Sequence, residues 1–283
     1  MGHPATPNLQ KLPFWRTVAE SYKLTFGNLR TLLQMSWPLL LALLPVSAVI
    51  RWIAWPLTQP KHPHPGFVEW ALGFSHNLVI LAVGAAIAVP WHRFILFNEK
   101  TPVTQSPWDD ARTKAYIGLG LLLLMITEFG AALRSAGILA TNDRLLNSSE
   151  TNELLIFLLL TVRWSLAFPA IAIGRESQPR SDSWDATKGN YWRMFWGGIL
   201  TMVIPIVIIL TLAAHTEGKL TQNTFAALSG LFTVVWMFVG MSYVTFLSLA
   251  YRHFFGPIEV EAAASTPPNP HQSPRDGDAR SER

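Results

Sequence analysis

The chain has 283 residues, 50% of them hydrophobic and 14% charged, with a formal net charge of +4. That balance describes a protein that meets its burial needs with lipid as well as with itself, and it favours one bundle over two soluble domains. No cysteine is present, which excludes disulfides, thiolate catalysis and thiolate metal sites.

Residues 1–30 form an arm that is aromatic and mixed in charge. It lacks a basic end followed by a short apolar run and a cleavage site, so the first span is expected to be an uncleaved anchor. Phe14, Val18, Tyr22, Phe26 and Leu29 recur three or four apart and predict one apolar stripe on a helix whose other face carries Arg16, Glu20 and Lys23. Such a helix suits the headgroup region, with Trp15 and Tyr22 in the half-wet zone. Gly27 is expected to end it in the left-handed conformation, and Asn28 to cap the helix that follows.

Six apolar stretches come next, at 31–50, 75–97, 115–133, 154–174, 195–214 and 225–250. Each matches the about 20 residues that a helix rising about 1.5 Å per residue needs to cross the hydrocarbon. The predicted fold is therefore all-α: a polytopic membrane protein with six transmembrane helices arranged as three helical hairpins, entered through cytoplasmic amphipathic helices. Residues 31–256 make up this transmembrane domain.

Sixteen of the 22 Lys and Arg residues fall in the arm, in the connections after the second and fourth spans, and in the tail. Basic residues near span ends resist translocation, so both termini are expected in the cytoplasm. The basic residues are interleaved with Asp109, Asp110, Asp182 and Asp185. Membrane lipids rather than nucleic acid are the expected partner.

An internal repeat underlies the elbows. Ser21-Tyr22-Lys23-Leu24-Thr25-Phe26-Gly27-Asn28 matches Ser183-Trp184-Asp185-Ala186-Thr187-Lys188-Gly189-Asn190 in its Ser, aromatic, Thr, Gly and Asn positions. Trp108-Asp109-Asp110-Ala111-Arg112-Thr113-Lys114 is a fainter relative. Gly189 and Asn190 are thus expected to form a second elbow like Gly27 and Asn28, either a structural bend or a hinge that binds headgroups. Two even spans also end alike, in Trp91-His92-Arg93-Phe94 and Tyr251-Arg252-His253-Phe254. His92, Arg93, Arg252 and His253 are assigned headgroup contacts at the boundary.

Together with the run Arg163-Trp164-Ser165-Leu166-Ala167-Phe168-Pro169-Ala170, these elbows and the Trp91-His92-Arg93-Phe94 ending resemble a family of uncharacterised proteobacterial inner-membrane proteins. That family is similar in layout to the membrane domain attached to some glycerophosphoryl diester phosphodiesterases. The resemblance spans roughly residues 14–256. It implies a six-helix membrane module and no activity, since the phosphodiesterase barrel itself has no counterpart in the chain.

Charges inside spans cost roughly 2.5 to 3.5 kcal/mol each on insertion scales. Glu128 in the third stretch and Arg163 in the fourth are expected to pair at similar depth, with Arg134 snorkelling toward the outer surface. The pair reads either as a proton or substrate site of a carrier or as a clamp on helix packing. His62 and His64, in an outer loop rich in proline, lack a third ligand, and no metal site is assigned. No phosphate-cradling glycine loop, His-Glu-x-x-His run or Gly-x-Ser-x-Gly elbow occurs, so neither an enzyme nor a bound cofactor is expected.

Residues 257–283 hold Pro267, Pro268, Pro270 and Pro274 and then alternating charges, the composition of a disordered cytoplasmic tail suited to docking a protein partner. The expected function is a non-enzymatic membrane module that organises lipids or partner proteins. The alternative is a small-solute or lipid transporter using Glu128 and Arg163.

Overall fold

The computed structural model describes residues 10–58, 66–99, 106–135, 156, 158–175, 179–216 and 221–256. Regular structure among them is helical throughout, with no strand. The tail at 257–283 and the loop carrying His62 and His64 lie outside the described residues.

Helix α1, Phe14–Gly27, leads through Asn28 into α2, Leu29–Ala54, which closes in a 3-10 turn at Trp55–Thr58. Then come α3, Phe67–Phe97, and α4, Ala111–Ser135. Two helical segments follow, α5, described over 158–164, and the short α6, Ala167–Ala172. The chain continues through α7, Pro179–Ala186, into α8, Tyr191–Thr216, and finishes in α9, Gln222–Phe255. Helices α2, α3 and α9, of 26, 31 and 34 residues, are long and apolar enough to cross a membrane, which makes this a membrane protein.

The fourth apolar stretch is not one helix. Pro169 has no N–H, and its ring crowds the carbonyl of Ser165, four residues earlier. The chain turns at Ser165 and Leu166, separating α5 from α6. By contrast α2 continues through Pro38 and Pro45, and α3 through Pro90.

Helix α9 is the hub, packing against α1, α2, α3, α6 and α8. Its contact with α2 is more extensive than that between α2 and α3, so the first and last long helices are joined more closely than sequential neighbours. Glycines set the closest approaches. A Cβ on Gly230 would lie 2.8 Å from the Leu44 carbonyl oxygen, and one on Gly197 would lie 2.2 Å from the Phe246 ring.

Two apolar cores share α9. One gathers Leu32, Leu40, Leu43, Ile87, Trp91 and Met237; the other gathers Leu12, Val18, Leu166, Phe246, Tyr251 and Phe254. Several helix hydroxyls are spent on their own backbone: Ser36, Thr245 and Ser248 each donate to the carbonyl four residues earlier, at 2.7 to 3.0 Å. This back-bonding leaves apolar atoms to face neighbouring helices and lipid.

Candidate functional site at the elbow face

The C-terminal ends of α3 and α9 meet α1, α7 and the starts of α4 and α8 at one end of the bundle, the elbow face. Trp91 Nε1 donates to Thr245 Oγ1 at 2.8 Å, and Thr25 Oγ1 of α1 lies 2.8 Å from the same oxygen. Thr25 also donates to Ser21 O, and in the second copy of the repeat Thr187 donates to Ser183 O. All four of these repeat hydroxyls are buried.

Helix α1 turns part of its apolar stripe away from its neighbours. Its buried positions are Thr17, Val18, Ser21 and Thr25, while Phe26 and Leu29 are exposed. The face toward α9 is thus mostly hydroxylic, because these side chains find carbonyls and Thr245, and aromatic atoms point outward. Tyr22 reaches sideways, donating to Leu200 O at 2.5 Å, and burial pushes its phenol up.

The two elbows differ both in backbone and in how they are fastened. Gly189 adopts φ +76, the left-handed conformation. Gly27 does not, and the break instead sits at Asn28 with φ −113. The expected left-handed stop at Gly27 is therefore corrected. So is the expected cap by Asn28, whose Nδ2 donates backward to Leu24 O at 2.8 Å and leaves the start of α2 without a side-chain cap. Asn190 works at long range: its Oδ1 accepts from Leu12 N at 2.9 Å and its Nδ2 donates to Gln10 O at 3.4 Å.

The second elbow also closes the gap between α5 and α6. Ser183 Oγ donates to Arg163 O at 2.7 Å and accepts from Leu166 N at 3.1 Å, while Ser165 Oγ takes Val162 O at 2.8 Å. These are the backbone groups that the interruption frees.

Arg163 consequently belongs to the elbow. Its guanidinium lies over Trp184 and Tyr191, at 5.2 and 5.5 Å, and faces Trp184 O and Thr187 Oγ1 at 3.5 and 3.4 Å. Glu128 lies elsewhere: its carboxylate accepts from Trp70 Nε1 at 3.1 Å and Asn77 Nδ2 at 3.0 Å. Trp70 belongs to the first turn of α3, and the helix rises about 30 Å from there to Trp91 at about 1.5 Å per residue. Glu128 and Arg163 therefore sit near opposite ends of the bundle, and the expected ion pair is not formed. The expectation placed Arg163 mid-span, but the turn at Ser165 brings it to α7 instead. Arg134 ends within α4, and its side chain lies outside the described residues.

Of the four residues assigned to headgroups, His92 is wholly enclosed, with Nδ1 2.7 Å from Ser248 Oγ and Nε2 3.4 Å from Tyr116 OH. It is corrected to a packing residue between α3, α4 and α9. Arg93 pairs with Glu99, and Arg252 lies 3.4 Å from Glu20, both within reach of the surface. His253 is half-buried, edge-on to Phe254.

Two cavities open on this face. One, of 430 Å³, is bounded by Phe14 and Trp15 of α1 and by Trp192, Arg193 and Trp196 of α8. Trp15, Trp192 and Trp196 are 73%, 65% and 52% exposed, and Arg193 is held by Leu12 O at 2.6 Å. The other, of 520 Å³, lies between α4, α6 and α7 and brings Arg112, Arg175 and Arg180 together.

Backbone geometry positions these arginines. Gly174, at φ +77, ends α6, with Gly174 N bonded to Ile171 O and Arg175 N to Ala170 O, both at 3.0 Å. Arg175 then donates to Tyr251 OH at 3.1 Å, covers the Phe255 ring at 5.0 Å and lies 3.8 Å from Asp182. Arg112 directs Nε at both oxygens of Asp110, at 2.9 and 3.0 Å. Burial pushes the Asp110 carboxyl up, but the bonds from Arg112 and the charges of Arg112 and Arg93 outweigh it and hold it below the usual carboxylate value.

In the sequence the three arginines read as orientation signals and general headgroup contacts, with nothing to group them. They come from two connections, and nothing in their spacing shows that α4, α6 and α7 bring them together. Among the described residues, no three His, Asp or Glu side chains are grouped to hold a metal ion. The chain matches no family model, no curated protein and no solved structure.

Proposed function

We propose that the chain is a six-span protein of a bacterial inner membrane, with both termini cytoplasmic, that organises lipids of the inner leaflet through its elbow face and does so without catalysing a reaction. The observation that carries this reading is the cluster of exposed Trp15, Trp192 and Trp196 around an apolar groove, where α1 meets α8. Tryptophan favours the headgroup level because its ring is apolar and its N–H is polar. Arg16, Lys23 and Arg30, in the same N-terminal arm as Trp15, are exposed, as expected for contact with an anionic leaflet. A carrier built on Glu128 and Arg163 is disfavoured by their separation.

The test is to extract the full chain in polymer-bounded native membrane discs and compare the retained lipids with those of the bulk membrane. The expected result is enrichment of one lipid class, lost when Trp15, Trp192 and Trp196 are all replaced by Ala in a protein that remains folded. Discs with the composition of the bulk membrane would falsify the reading.

A further inference from the structure

The tryptophan groove does not account for the second cavity. We infer that the space between α4, α6 and α7 is a binding site for the phosphate group of an anionic phospholipid, with Arg112, Arg175 and Arg180 taking the headgroup. This inference rests on the lipid-organising reading above and gives it a ligand class and a place.

Charge is the first argument. All three arginines line the cavity, whereas Asp110 and Asp182, which hold two of them, do not. Each carboxylate fixes a guanidinium, and among the described residues no carboxylate lines the cavity. Arg112 engages Asp110 through Nε, which leaves its terminal amino groups without a partner among the described residues. Arg180 is exposed and likewise has no partner among them. Guanidinium groups with spare donors suit phosphate, whose oxygens accept in a matching fork.

The backbone adds to this. Ala111 begins α4 and Pro179 begins α7, and both line the cavity, so the starts of two helices border it, although at α4 the Arg112 N–H already donates to Asp110 Oδ1 at 2.9 Å.

The wall decides between an amphiphile and a free anion. Gly118, Leu119, Leu122 and Ile171 continue the cavity away from the arginines along α4 and α6. A soluble phosphate has no use for an apolar extension, whereas an acyl chain does. The volume of 520 Å³ lies within the range of about 300–1,000 Å³ common for small-ligand sites.

The experiment uses the full chain reconstituted in phosphatidylcholine bilayers, with or without phosphatidylglycerol, followed by native mass spectra after gentle release. A parallel arm supplies inorganic phosphate in phosphatidylcholine alone. Arg180→Gln removes one cation, and Arg180→Lys keeps the charge but not the fork. Gly118→Leu fills the cavity from its wall; a Cβ there has no neighbour within 4 Å, so the helix tolerates the change.

The expected result is a saturable adduct of one phosphatidylglycerol, weakened about tenfold or more by Arg180→Gln, as for loss of a charge-assisted hydrogen bond. Gly118→Leu should weaken it as much, and Arg180→Lys less. An adduct indifferent to both Arg180→Gln and Gly118→Leu overturns the site, and saturable binding of inorganic phosphate alone overturns the lipid assignment. The tryptophan reading is judged by disc composition, so the two fail separately.

Discussion

Asn190 holds the backbone of Leu12: its Oδ1 accepts the Leu12 N–H at 2.9 Å across 178 positions of chain. The second elbow thereby fixes how the chain approaches the first, and Arg193 strengthens the joint by donating to Leu12 O. Asn28, its counterpart in the repeat, only turns back on its own helix.

Replacing Asn190 with Ala strands a buried N–H, which costs about 1–3 kcal/mol. Asn28→Ala should cost less, because its partner carbonyl also accepts Asn28 N at 3.2 Å. Thermal unfolding in detergent checks the difference, and protease access near residue 12 should rise for Asn190→Ala alone. Equal shifts in both variants would disprove the long-range joint.

Ser183→Ala removes a hydroxyl that serves both Arg163 O and Leu166 N. The expected loss is about 1–3 kcal/mol for each stranded group. Ser21→Ala, which frees only Val18 O inside its own helix, should be milder. Chemical denaturation of the two variants side by side decides this; a milder effect at Ser183 would count against the bridging role.

Glu128→Gln and Arg163→Gln should add in their effects on stability to within about 0.3–0.5 kcal/mol, because the two side chains share no partner. A double-mutant cycle measures this directly, and a coupling well above that margin would restore the ion pair.

Asp110 gives a pH dependence of known sign. Its folded pKa is depressed, so the stabilisation is fully present above the unfolded value of about 3.9 and is lost as pH falls through the folded one. The unaltered chain should lose more stability on acidification below about pH 4 than Asp110→Asn does. Parallel pH profiles of the two proteins would expose the opposite case.

Gly197→Ala places a methyl against the Phe246 ring and should cost about 1–3 kcal/mol through overpacking. Phe246→Leu in the same chain should recover part of that loss. If Gly197→Ala leaves the melting temperature unchanged, α8 and α9 are not as close as described.

Helices α2, α3 and α9 were legible because the length of an apolar run against bilayer thickness is a one-dimensional property. The elbows at Asn28 and Gly189 were legible too, since the repeat marks both. The inward face of α1 was hidden: the apolar stripe is read for the headgroup region, and spacing alone does not show that Ser21 and Thr25 turn inward to neighbouring carbonyls and Thr245. The break at Ser165 depended on a donor from Ser183, and the arginine cavity on which helices become neighbours. Neither is written in local spacing.

The junction of α5 and α6 has a consequence for biosynthesis. Arg163 O and Leu166 N obtain their partner from a residue that leaves the ribosome after both. Until Ser183 emerges, this segment lacks the hydroxyl that holds the junction in its final form. Its final seating must therefore wait for the second elbow, which couples the order of translation to the order of assembly.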